Sequence, residues 1–259
     1  MTLSILGCGW LGLPLAARFS AKGYRVNGST TTPEKISQLE HEGITPYLID
    51  LTTADTDSLE RFCSCDCLVI AHPPKHRPEA YVEGIRRLLS HAPKSLIPVL
   101  ISSTAVYPNL GKTVDETTPV TRENTPKPHI LEAEKLVQAF TPHHLIVRCA
   151  GLMGYERAGV RYFQNRPVPA ADTTVNQVHR DDAILALEHL IEANATGTYN
   201  LCAPLHPTKK ALYTYQAQQL GLPLPQFEAG IGAFKIVNGE KVCRDTGFSY
   251  RYPDPMRFG

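Results

Sequence analysis

The stretch Thr2-Leu-Ser-Ile-Leu-Gly7-Cys-Gly9-Trp-Leu-Gly12 narrows what the start of this chain can become. A short apolar run, three glycines spaced G-x-G-x-x-G, and the helix-compatible segment from Leu13 to Phe19 follow one another directly. That order reads as strand, tight turn, helix. Each glycine then has a physical task. Gly7 permits the sharp turn, Gly9 lets a ligand approach the backbone, and Gly12 lets the helix lie close on the strand. The helix N-terminus offers unbonded N–H groups and the positive end of a dipole, which suits a pyrophosphate. Gly7, Gly9, Trp10, Leu11 and Gly12 are the expected cradle of a dinucleotide.

The first 150 residues alternate apolar strand segments with helical ones. Strands are expected at 3–6, 25–28, 46–49, 68–71, 98–102 and 145–148, and helices at 12–21, 33–42, 78–90 and 130–140. Such alternation predicts an α/β fold with a doubly wound, Rossmann-type parallel sheet. Beyond Arg148 prolines and aromatics become frequent and the alternation fails. One helix is expected at 180–192, packing back on the first domain, with strands at 197–201 and 241–250. The reading is a nucleotide-binding domain over 1–150 and a smaller, substrate-side lobe over 151–259. Ligands of such sheets bind beyond the carboxyl ends of the strands, so the lobe is expected to close a cleft there.

Balanced charge, 26 basic against 25 acidic residues, gives no basic stripe for nucleic acid. No apolar run approaches membrane-spanning length and no signal peptide is recognised. The expectation is a cytoplasmic monomer or homodimer acting on a small molecule, with no nucleic-acid or membrane partner. Cys63, Cys65 and Cys67 lack the C-x-x-C spacing and a matching second ligand pair, so no metal site is expected.

The second strand runs into Gly28-Ser29-Thr30-Thr31-Thr32-Pro33-Glu34-Lys35. NAD sites usually place Asp or Glu at this strand end, on the ribose 2′-hydroxyl. Here hydroxyls and Lys35 stand instead, which tolerates a 2′-phosphate. Ser29, Thr30, Thr31 and Lys35 therefore favour NADP over NAD. The same hydroxyls also suit an N-cap before Pro33. Asp50 and Leu51 end the third strand, where the carboxylate suits either the adenine amino group or a turn. Ala71, His72 and Pro73 follow the fourth strand and are expected to line the cofactor groove, with Ser102 on the fifth.

Several later segments together resemble the NAD(P)-dependent epimerase/dehydratase family of extended short-chain dehydrogenase/reductases. Ser102-Ser-Thr-Ala-Val-Tyr107 resembles its SS-x-x-VY segment, Arg148-Cys-Ala-Gly151-Leu-Met-Gly154 its R-x-x-G-x-Y-G segment, and Asn176-Gln-Val-His179-Arg-Asp-Asp182 its N-x-I-H-V-D-D segment. The C-terminal stretches from Lys235 and from Gly247 resemble the family's close. The resemblance implies that Ser103 hydrogen-bonds a substrate oxygen and that Tyr107 is structural. It also exposes a departure. The family's Y-x-x-x-K pair puts a lysine one helical turn from a tyrosine, lowering the phenol pKa and holding the ribose. With Leu131-Glu-Ala-Glu134 as anchor, those positions fall on Pro126 and Ile130. The glycine motif departs too, since extended members carry G-x-x-G-x-x-G. Both departures are similar to the atypical, YeeZ-like branch. The opening Gly9-to-Ala16 segment also looks like that of UDP-sugar 6-dehydrogenases, but their G-x-C-x-P-K-like motif is missing.

Candidate chemistry then rests on Ser103, on His129 in the early turn of the 130–140 helix, and on Tyr155 after the Gly151–Gly154 loop. His179 and Asp182 read as bracing residues before a helix. Two functions follow. One is an oxidoreductase or epimerase acting on a small carbonyl or sugar-nucleotide substrate. The alternative is a non-catalytic NADP-binding redox sensor.

Overall fold

The computed structural model describes residues 1–74 and 78–258. In chain order the elements are β1 (Thr2–Leu6), α1 (Gly12–Ala21), β2 (Arg25–Thr30), α2 (Ile36–His41), β3 (Thr45–Leu48), α3 (Thr56–Cys63), β4 (Cys67–Ile70), α4 (Pro78–Ser90), β5 (Ile97–Ser103) and β6 (Thr113–Val114). There follow α5 (Pro128–Phe140), β7 (Leu145–Cys149), β8 (Gly151–Met153), β9 (Gln177–His179), α6 (Arg180–Glu192), β10 (Gly197–Leu201), α7 (Lys209–Gln219), β11 (Ile236–Val237) and α8 (Glu240–Thr246). A seven-stranded sheet has the order β10-β7-β5-β4-β1-β2-β3. β1 pairs parallel with β2 and β4, β2 with β3, and β4 with β5. This is the Rossmann-type α/β architecture the alternation predicts, and its strand order reverses between β1 and β4. Ligands in such sheets bind outside the carboxyl ends at that reversal.

The chain divides into two compact units. The first holds Met1–Ser103, Lys127–Val147 and Asn194–Thr198; the second holds Thr104–Pro126, Arg148–Ala193 and Tyr199–Gly259. In the first unit β4 is buried throughout and its residues Leu68 and Ile70 join Leu59, Phe62, Ile85 and Val137 in one apolar cluster. β1 and β2 are different. They alternate, because Thr2 and Ser4 pair with Arg25 and Asn27, and Asn27 pairs with Thr45. Paired residues of parallel strands share a face, so this margin of the sheet carries a polar row. Parallel strands covered on both sides read as continuous apolar runs, and these do not.

The second unit is built on two short parallel pairs, β8 with β9 and β6 with β11. Its core gathers Met153, Val160, Val168, Leu212, Tyr213 and Ala217. Two expectations need correction. Residues 241–250 are not a strand. Glu240–Thr246 form α8, closed by Gly247 at φ 71°, and of that helix Val242 is the buried residue. The helix α3 was not foreseen, although Asp55 caps it by accepting the Ser58 amide at 2.8 Å.

Candidate functional site

The glycine turn is tightly determined. Gly7 has φ 91°, and a Cβ there would stand 3.3 Å from the Ala71 and His72 backbone. A Cβ on Gly12 would collide with the Gly7 carbonyl oxygen. Gly9 is the contrast, because a Cβ on it would meet nothing within 4 Å. The fold itself thus requires glycine at 7 and 12. At 9 the open backbone is what an incoming ligand needs. Leu11, at the N-cap of α1, supplies no side-chain cap, and the first turn carries no acid. The amides of Gly7, Cys8 and Gly9 are bonded within the protein, to Ser29 Oγ, the Ser29 carbonyl and the Gly7 carbonyl, so it is the head of α1, with the positive end of its dipole, that suits an anion. Trp10 belongs to the same turn, half-buried. Beside it Cys8 is buried, and desolvation pushes its thiol up to about 12, so it packs rather than reacts.

The second-strand hydroxyls divide in role. Ser29 is buried and accepts the Gly7 amide at 2.9 Å, while its carbonyl accepts the Cys8 amide at 2.8 Å. It acts through the turn, and its expected place on the ribose phosphate is corrected by that burial. Thr30 Oγ1 accepts the Thr32 amide at 3.1 Å. Thr31 and Lys35 are exposed. Asp50 accepts the Thr52 amide and hydroxyl through one oxygen, at 2.9 and 2.7 Å. These bonds hold its carboxyl below the ordinary range, with a further pull from His72. The turn role offered for Asp50 is realised. Leu51 is buried, and its carbonyl accepts from Arg87 at 3.0 Å. Ala71 and His72 are half-buried and Pro73 exposed, directly after β4.

At the end of β5 the two serines separate. Ser102 is buried and donates to the buried Glu134 carboxylate at 2.5 Å. Its expected cofactor contact is thereby corrected, since the hydroxyl is spent on α5. Ser103, half-buried, stands last on the strand. Glu134 was not singled out from the sequence beyond its use as an alignment anchor.

The two positions aligned with the family's pair lie around the start of α5. Pro126 is exposed, and Ile130, in the lysine position, is 6% exposed and packed inward. His129 is half-buried in the first turn of α5. Burial, and then Lys127, push its imidazole below its ordinary pKa, opposed by Glu79. That burial favours its uncharged form. Ser103 and His129 belong to the first unit and Tyr155 to the second.

Tyr155 adopts φ 57°, is 53% exposed and donates to Asp181 Oδ2 at 2.8 Å. The Arg180 guanidinium lies 3.9 Å over its ring. The bond to Asp181 raises its phenol above the ordinary value, so it holds its proton. Tyr107 is fully buried and donates to Asn200 at 2.9 Å, the structural role implied for it. His179 accepts the Asp181 amide at 3.2 Å as N-cap of α6, and Asp182 accepts the Arg251 and Tyr252 amides at 2.9 Å each. Both brace the C-terminal segment.

The second unit also holds a pocket of about 260 Å³ that the sequence did not announce. Asn176 ties two motif segments together there, donating to the Lys235 carbonyl at 2.9 Å and accepting the Val237 amide at 2.8 Å. Lys235 Nζ donates to the Tyr107 carbonyl at 2.9 Å and to Asn109 at 3.1 Å, and burial lowers its pKa. Thr174 Oγ1 and Gln177 Oε1 are buried on the lining residues with no hydrogen-bond partner among the described residues. Buried polar atoms of this kind are satisfied by ligand or water.

No family model matches the chain. Protein YeeZ of Escherichia coli K12 is 36% identical over 98% of this chain and 97% of its own length. Among solved structures, a Methylobacillus flagellatus protein assigned to the NAD-dependent epimerases/dehydratases matches with a TM-score of 0.80 at 26% identity, covering 99% of this chain and 95% of that one. UDP-glucuronic acid 4-epimerase of Bacillus cereus, in complex with NAD, shares the fold at a TM-score of 0.79 and 16% identity, over 100% and 97% of the two chains.

Proposed function

The chain belongs to the YeeZ branch of the NAD(P)-dependent epimerase/dehydratase family, and from that premise we propose that it binds NADP and works on a small polar, nucleotide-linked substrate. The observation that carries this is the open backbone at Gly9, between Gly7 and Gly12 where a Cβ would meet backbone. The head of α1 holds the pyrophosphate, and the exposed Thr31 and Lys35 favour the 2′-phosphate. When bound, the nicotinamide supplies hydride exchange with a carbonyl or carbinol carbon. Ser103 hydrogen-bonds the substrate oxygen. The proton passes through His129 or water.

The test is NADPH oxidation against a panel of carbonyl and sugar-nucleotide substrates. Ser103→Ala should lower kcat/KM about 100-fold, as loss of one oxyanion donor does, with NADPH affinity unchanged. The exposed Pro126 and buried Ile130 favour a second reading, a non-catalytic NADP-binding sensor. It predicts nucleotide binding without turnover on any member of the panel, and that result would overturn the enzymatic reading.

A further inference from the structure

The polar margin of the sheet in the first unit faces a groove of about 520 Å³, lined from the amino-terminal half of β1, β2 and β3 and from the end of α3. It lies at the opposite end of those strands from the glycine turn, which follows the carboxyl end of β1. Two guanidiniums, Arg25 and Arg61, line it, and so do two phenol rings, Tyr24 and Tyr47. Ser64 adds a hydroxyl, the Asn27 amide donates to Ser4 Oγ at 3.0 Å, and none of the lining residues is acidic, although Asp66 beside them accepts the Thr2 amide at 2.7 Å. Arg25 is exposed and makes no ion pair among the described residues. Arg61 reaches Ser58 Oγ only at 3.5 Å. The ring of Tyr47 meets Phe62 edge-on at 5.2 Å, and that of Tyr24 meets Phe19 in the same way at 5.2 Å. The rings are thus anchored.

A parallel strand normally covers both faces with apolar side chains, and a helix lies over each. Here Arg25 and Asn27 occupy a strand face that would otherwise belong to the core. Guanidinium forks match phosphate oxygens in pairs, and anchored rings offer stacking surface at little entropic cost. The volume falls within the range of small-molecule sites. We propose that this groove binds a phosphate monoester carrying a planar ring, of the nucleoside monophosphate type, as a second site distinct from the glycine turn. Arg25 and Arg61 hold the phosphate, and Tyr24 and Tyr47 flank the ring.

The experiment titrates 5′-AMP into the ¹⁵N-labelled full chain held in saturating NADPH, with adenosine and inorganic phosphate in parallel. Saturable shifts at the amides of Arg25, Asn27, Thr45 and Ser64 are expected. The Arg25→Gln/Arg61→Gln protein should bind AMP about tenfold more weakly or worse, the cost of one charge-assisted contact, with NADPH affinity intact. Both arginines are exposed, so the double variant should fold. Adenosine and phosphate alone should each bind more weakly than AMP. The proposal is overturned if AMP shifts map only to the Gly7–Gly12 turn, if no saturation appears at millimolar AMP, or if the double variant titrates like the parent. It is equally overturned if phosphate alone matches AMP. Mapping the shifts separates this groove from the turn whichever nucleotide the turn holds.

Discussion

Gly9→Val should leave the fold intact and remove nucleotide binding. A side chain at Gly9 meets no protein atom within 4 Å, so the unliganded protein has room for it. The apparent stability of the variant should stay within about 1 kcal/mol of the parent. On the proposed reading, the space it fills is the one through which a pyrophosphate reaches the backbone. At a concentration 100 times the parent's dissociation constant, NADPH should stabilise the parent by about 2.7 kcal/mol. A 100-fold loss of affinity reduces that to about 0.4 kcal/mol, which thermal unfolding resolves. If NADPH stabilises Gly9→Val as much as the parent, the ligand does not sit on this turn.

Gly12→Ala should do the reverse and damage the fold first. In a helix, alanine is ordinarily favoured over glycine by about 1 kcal/mol. That gain is outweighed here. The new Cβ would fall far inside the 3.0 Å that real Cβ atoms keep, against the Gly7 carbonyl, with Ile5 at 3.5 Å behind it. The obstacle is backbone, which cannot rotate away as a flexible side chain would. α1 must shift on β1, a form of overpacking that costs roughly 3 kcal/mol. For a chain of this size the melting temperature should drop by roughly 6–12 °C. A calorimetric scan that finds Gly12→Ala as stable as the parent would refute the packing described for this turn.

Much of this architecture was legible. The expected helix over 78–90 is α4 and that over 180–192 is α6, residue for residue, because each carries an unbroken apolar stripe of sufficient length. What escaped has physical reasons. β6 and β11 are two residues each, too short for any period to show. The stripe of α7 is interrupted by Gln216, a buried amide that accepts the Val160 backbone N–H at 3.0 Å. Residues 241–250 alternate enough to suggest a strand, yet Gly247 in the left-handed region ends a helix there.

In the candidate site, the geometry of the glycine turn was legible and that of the side chains much less so. G-x-G-x-x-G reports backbone geometry, and backbone geometry is what the spacing determines. The partners of a hydroxyl are tertiary facts. Ser29 turned beneath Gly7 and Ser102 turned to Glu134, while the adjacent Thr30 and Ser103 carry the same chemistry on strands that end at the same edge. Lys235 lies 128 residues from the Tyr107 carbonyl it binds, so no local pattern could pair them. Ile130 is the exception. A missing lysine is visible in the sequence, and its burial at 6% shows that the helix face has been given over to packing.

Calorimetric titration of the unmodified chain with NADPH and NADH tests the account most directly. One nucleotide per chain should bind at the glycine turn, NADPH more tightly than NADH, with Lys35→Ala narrowing the difference, since the proposed reading sets its charge against a 2′-phosphate. No heat of binding from either nucleotide, in protein whose cooperative unfolding shows it to be folded, would contradict the dinucleotide reading of Gly7, Gly9 and Gly12.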